Sequence, residues 1–225
     1  MHIEPGIVDG AKIGLSYATA ATAGAYALKL SVAAVRDKGV MSLAMRALIT
    51  TALVFSFFEL LPHYPVGVSE VHFILGSTLF LILGAAPAAM GLALGLLLQG
   101  LFFAPADLPQ YGMNITTLLV PLFAIAALAE RIIPKDTPYV DLQYTQALAL
   151  STAYQAGIVS WVAFWALYGA GFEAENMSAI ATFGSAYMLV VLVEPVADLA
   201  VLALAKSLHA LEDSGLVTPR LHKPA

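Results

Sequence analysis

Three residues of this chain have types and placements that suit one piece of chemistry: Met1, His2 and His72. A free α-amine, the backbone nitrogen of His2 and the His2 imidazole can hold one metal ion in adjoining chelate rings, with one planar position left over. A nitrogen from His72, which sits near the start of a long apolar segment, closes an all-nitrogen square plane, the geometry that favours Ni(II) or Cu(II). Amide coordination requires loss of the amide proton, so binding releases protons and weakens in acid. Ligating histidines are oriented by groups behind them, and Glu70 and Asn114 are the candidates for that role. Each histidine also has a plainer reading. His2 is then an accident of a chain end, and His72 an interfacial side chain bonded to a carbonyl. The opening residues do not read as a signal peptide, because Glu4 and Asp9 stand where a basic start belongs and the apolar run is too long. Met1 is therefore expected to be retained, protected by the bulky His2, with residues 1–8 adding little to helix packing.

The elements that must position these residues are membrane-spanning. The chain is 60% hydrophobic and 11% charged, with a mean hydropathy of +0.85, more apolar surface than a soluble domain of 225 residues hides. It has no cysteine, which excludes thiolate metal sites, disulfides and iron–sulfur clusters. The net charge of −5 contains no basic run suited to nucleic acid. Apolar spans are expected at 10–35, 42–61, 70–86, 87–104, 112–132, 143–169 and 178–206. One helix over 71–104 would be roughly 50 Å long, beyond the ~30 Å hydrocarbon core. It is read instead as two short spans joined at Ala85-Ala86-Pro87. Seven helices with the N-terminus outside and the C-terminus inside place Lys29, Arg36, Lys38, Arg46, Arg131, Lys135, Lys206, Arg220 and Lys223 on the cytoplasmic side and only Lys12 outside. That is a strong positive-inside bias. The expected fold is thus all-α and polytopic. It has one transmembrane domain over 1–206, surrounded by plasma-membrane lipid, and a cytoplasmic polar tail over 207–225.

Other features carry two readings each. Glu194, Pro195 and Asp198 fall inside the last span, where ionisable groups are costly and often functional; a proline kink needing a polar cap explains them as well. Glu59, His63 and Glu70 frame an outer loop and either attract a divalent cation or are simply solvated at headgroup level. The Gly91 to Gly95 pair and the small residues from Ala18 to Ala27 permit close helix approach, within the chain or to a partner subunit. Trp161, Trp165 and Tyr168 read as an interfacial belt. His72 is expected at the outer end of the third helix, where water can reach it.

The segment Met1-His2-Ile3-Glu4-Pro5-Gly6 resembles the start of the CbiM/NikM family. Gly67-Val68-Ser69-Glu70-Val71-His72-Phe73-Ile74-Leu75-Gly76-Ser77-Thr78-Leu79 is similar to that family's small-residue, histidine, glycine segment. Leu97-Leu98-Gln99-Gly100-Leu101-Phe102-Phe103, followed by Gly112-Met113-Asn114 and Pro121, resembles its glutamine helix and the entry to the next helix. The similarity covers most of 1–131; the last two helices fit in length and number. These proteins are the substrate-binding membrane subunits of cobalt and nickel energy-coupling-factor ABC transporters. The resemblance implies that Met1, His2 and His72 hold Co(II) or Ni(II) as transported substrate. It also implies that a transmembrane coupling subunit and cytoplasmic ATPase subunits supply the energy. No Gly-x-x-x-x-Gly-Lys-[Ser/Thr] occurs here, so the chain does not itself cradle ATP phosphates. A solitary transporter of the same fold, without ATPase partners, is the alternative. A membrane enzyme is the reading set aside: a bis-histidine haem needs two intramembrane histidines, and only His72 qualifies.

Overall fold

The computed structural model describes residues 3–210. Met1 and His2, two of the expected ligands, lie outside the described residues, as does the tail from 211. The regular structure of the described residues is helical apart from one small hairpin. Helix α1 (Ile13–Glu59) has 47 residues, which would run roughly 70 Å at ~1.5 Å per residue, more than twice a hydrocarbon core. It breaks at Gly39, with φ 81 and ψ 162, a conformation open to glycine and resisted by any side chain. Arg36, Asp37 and Lys38 precede the break. Strands β1 (Tyr64–Val66) and β2 (Ser69–Val71) follow, then α2 (Gly76–Leu83), α3 (Ala85–Phe102), α4 (Tyr111–Ile132), α5 (Tyr144–Ala170) and α6 (Ala174–Ala210). Five of these helices are long and apolar enough to cross a membrane, with α1 counted once.

The expected third span differs from the structure. Residues 69–71 form an antiparallel strand pairing with 64–66, and the helix begins only at Gly76 and ends at Leu83. Gly67, at φ 63, is the one positive-φ residue of the two-residue turn, the type II′ arrangement that suits a hairpin's twist. The break before α3 lies at Gly84 (φ 96, ψ 161) rather than at Ala85-Ala86-Pro87, which instead form the first turn of α3. Proline is tolerated there because first-turn amides have no intrahelical acceptor. Helix α6 continues through Ala210, so residues 207–210 are helical rather than tail.

The main core joins α1 to α6 through residues such as Val54, Phe58, Leu92, Leu118, Tyr154 and Tyr187. The Gly91 to Gly95 pair faces α1: a Cβ on Gly91 would strike Thr50, and one on Gly95 would lie 2.6 Å from Val54 Cγ1. The small-residue motif is thus used inside the chain, where bare backbone lets two helices approach closely.

Two expectations about the N-terminal end are overturned. Residues 3–8 are not peripheral: Ile3 and Val8 are buried, packed with Met113 and Trp165. Trp165 is accordingly a fully buried wall rather than part of a lipid-facing belt. The cause is the path of the N-terminal segment, which crosses the end of α5. Gly169, lacking a side chain, lies directly against the Ile7 carbonyl. Lys12 Nζ donates to the Gly169 carbonyl at 2.7 Å, a cation where a helix C-terminus favours one.

Candidate metal centre

His72 follows β2 directly and precedes α2, in the non-helical run 72–75. It is buried, at 1% relative exposure, which corrects the expectation of a wetted helix end. The physical reason is its surroundings. Its ring lies 5.2 Å from that of Phe58 on α1 and stacks at 5.0 Å and 11° on that of His63. The hairpin folds these groups over it. Gln99 on α3 supports this wall, its Nε2 donating to the Phe58 carbonyl at 3.4 Å.

Glu70, one of the two expected orienting residues, lies beside the ring: His72 Nε2 and Glu70 Oε2 are 2.8 Å apart. A carboxylate accepts, so Nε2 carries the proton and Nδ1 the lone pair, the tautomer that a carboxylate behind a ligating histidine imposes. Asn114, the other candidate, does something different. Its Oδ1 accepts the Ile3 amide at 2.9 Å, so it secures the chain directly after His2 rather than the His72 ring. Two further contacts draw this segment onto the hairpin: a β-bridge between Ile3 and Ser69 and a hydrogen bond from the Glu4 amide to the Val68 carbonyl at 3.1 Å. The N-terminal segment is therefore joined by a single bridge to the strand that leads to His72.

The local charge is negative. Burial pushes the Glu4 carboxyl above the usual carboxylate range, and repulsion from Glu70 and Asp107 adds to the rise. A cation placed among these groups would relieve that repulsion. Among the described residues, no group of three or more His, Asp or Glu is arranged to hold a metal ion. Of the expected ligand set, only His72 falls within them. His63 was expected only in an outer loop that attracts a divalent cation or is solvated at headgroup level, and the contributions of Ile3, Phe58 and Ser69 were not expected from the sequence. The available signal was the run of valines around Pro65 and Gly67, which marks two strands and a turn.

Glu194 and Asp198 are buried on α6, at 0% and 3% exposure. Glu194 accepts the amides of Ile74 at 2.9 Å and Leu75 at 2.7 Å, and also the Gln155 side-chain amide. Asp198 accepts Ser77 Oγ at 2.6 Å and Thr78 Oγ1 at 2.5 Å. They cap the entry to α2, on the segment that leaves His72, rather than a kink of their own helix.

Long apolar helices around a hairpin flanked by His63 and His72, with polar groups collected at one end, define a polytopic membrane protein. The chain belongs to the CbiM family: the family model, described as a cobalt uptake substrate-specific transmembrane region, matches residues 2–210. That family is one of transporter components and not of enzymes. The fold is similar to a crystal structure of a transition metal transporter at 17% identity, with a TM-score of 0.66, covering 99% of this chain and 100% of that one. A truncated transition metal transporter is similar at 18% identity and a TM-score of 0.62, covering 94% of this chain and 99% of that one. No curated protein sequence matches this chain.

Proposed function

We propose that this protein is the metal-binding transmembrane subunit for uptake of Ni(II) or Co(II). One observation carries the reading: the Ile3 amide is tied to Asn114 and Ile3 is paired with Ser69, in the strand that leads to the buried His72. The residue after His2 is thereby tied to the strand that runs directly into the internal histidine. The Met1 amine, the His2 amide and imidazole, and His72 then supply four nitrogens in a plane, which suits Ni(II) and is open to Co(II). Glu70 sets the His72 tautomer, and the carboxylates of Glu4 and Glu70 raise the local concentration of a divalent cation. Membership of a cobalt uptake family supports the same reading.

Uptake against a gradient needs energy, and the chain contains no phosphate-cradling loop. A transmembrane coupling subunit and cytoplasmic ATPase subunits supply it. The test is metal accumulation in cells that carry the chain with and without those subunits, beside metal analysis of the purified protein. Ni(II) or Co(II) at about one ion per chain, with accumulation that requires the ATPase subunits, is expected. Purified protein that retains neither ion from a metal-supplemented medium would refute the reading. Accumulation by the chain alone would favour the solitary transporter.

The orientation we propose puts the metal site outside, in the plasma membrane, with six helices long enough to cross once α1 is divided at Gly39 and the short α2 returning the chain inward after His72. The break at Gly39 and the loop after α4 then carry Arg36, Lys38, Arg131 and Lys135 toward the cytoplasm. A phosphatase reporter fused at the C-terminus should be inactive and a cytoplasmic reporter active. The reverse pattern rules the orientation out.

A further inference from the structure

Helix α2 is eight residues long, and the backbone just before it adopts an unfavourable conformation. Leu75 sits at φ 54 and ψ 34, in the left-handed region, which a bulky residue occupies only where its surroundings hold it there. The hold comes from one face of α6. Glu194 and Asp198 are four residues apart and so project from the same side of that helix. Glu194 takes the two amides that flank the Ile74 Cα, those of Ile74 and Leu75, at 2.9 and 2.7 Å. Asp198 takes the hydroxyls of Ser77 and Thr78. The support continues behind the first carboxylate. Gln155 on α5 donates to Glu194, and Tyr187 on α6 donates to Gln155 Oε1 at 2.7 Å. Gln155, Tyr187 and Glu194 are all fully buried. From the other side the Tyr154 ring presses on Gly76, where any Cβ would collide with it.

Two carboxylates in an apolar bundle cost more than well-packed aliphatic side chains would, and what they secure here is a backbone conformation. That backbone begins at His72. We propose that Glu194 is the positioning residue of the His72 ligand: from α6 it holds the Ile74 and Leu75 amides, with Asp198 gripping the following turn, and so sets where the His72 ring stands relative to the N-terminal segment. The inference rests on the reading of His72 as a ligand for a divalent cation.

The test uses the full-length chain, purified in detergent micelles, with Ni(II) and Co(II) as probes. Kd is measured by calorimetry, the ligand field by the visible absorption of bound Ni(II), and the clasp by hydrogen–deuterium exchange of a peptide covering 72–79. Glu194→Ala removes the clasp, and Glu194→Asp keeps the charge but shortens its reach. Glu194→Gln keeps the length and an acceptor oxygen. The first two are expected to weaken Kd about 10–100-fold, as loss of groups that orient a ligand does, with a shifted absorption band and faster exchange at 72–79. Glu194→Gln, which turns an NH2 donor toward one of the two amides, should fall between the wild type and Glu194→Ala. If Glu194→Ala does not fold, Glu194→Asp decides. Wild-type affinity and an unshifted band in Glu194→Asp would overturn the proposal, whatever happens to exchange. A wild-type chain that binds neither ion overturns the metal reading, and this inference with it. A wild-type chain that binds, beside variants that bind equally well, overturns this inference alone.

Discussion

Adding one residue ahead of Met1, or acetylating its amine, is expected to abolish high-affinity binding of Ni(II) and Co(II). The argument is one of bond count. An α-amine and the next amide nitrogen close a five-membered ring on the metal, and the His2 imidazole closes the adjoining ring. An extension moves the amine out of that ring, and acetylation removes its lone pair, yet both leave the His2 and His72 side chains in place. His2→Ala should act as strongly by removing the imidazole. Because Ile3 is held by Asn114 and Ser69, the N-terminal segment has little slack with which to re-form the rings at another register. The same anchoring means that the changes must stop short of Ile3. Ile3 and Val8 are buried, so substitutions there would lower stability and confuse the result. Affinity in the wild type should fall as pH is lowered, since protons compete for the amine, imidazole and amide sites. Metal content after purification, with melting temperature as the control for folding, checks all three changes. A fully loaded one-residue extension would mean that the N-terminus is not a ligand.

His72→Ala is expected to cost both binding and stability. Removing one of four ligands should weaken affinity by at least the ~10–100-fold typical when a group supporting a ligand is lost. The stability effect follows from burial. The ring fills space between Phe58 and His63 and carries the hydrogen bond to Glu70. Truncation leaves a cavity and takes a partner from a carboxylate, together about 2–4 kcal/mol. His72→Gln separates the two losses, because it restores volume and a donor for Glu70 without an imidazole. It should melt closer to the wild type while binding no better than His72→Ala. Calorimetry and thermal melts on the same preparations check this, and unchanged Ni(II) and Co(II) affinity in both variants would remove His72 from the ligand set.

The composition determined that this chain is a membrane protein, because so high an apolar fraction has no other solvent to suit it. Span boundaries along α1 and α3 to α6 were readable for the same reason: lipid demands long uncharged runs and puts charges such as Arg36 and Lys38 at their ends. The single histidine at the edge of a span was also legible, as was the cost of Glu194 and Asp198 within one. What the sequence did not contain was the inward direction. In water, polarity marks the outer face of a helix. In a bilayer the faces toward lipid and toward protein are equally apolar, so nothing in Trp165, Gly91 or Gly95 told whether they meet lipid or α1 and the N-terminal segment. The hairpin was hidden for another reason. Strands of three residues are too short to show an alternation, and β1 and β2 are stabilised largely by what closes around them. Only the tertiary structure brought Ile3 onto that hairpin, folded Phe58 and His63 over His72, and set two carboxylates of α6 against the amides and hydroxyls that follow it. The first and last of those pairings link residues about 66 to 121 positions apart. They exist because an unpaired amide or carboxylate inside a membrane protein has no water to turn to and must find its partner in the fold.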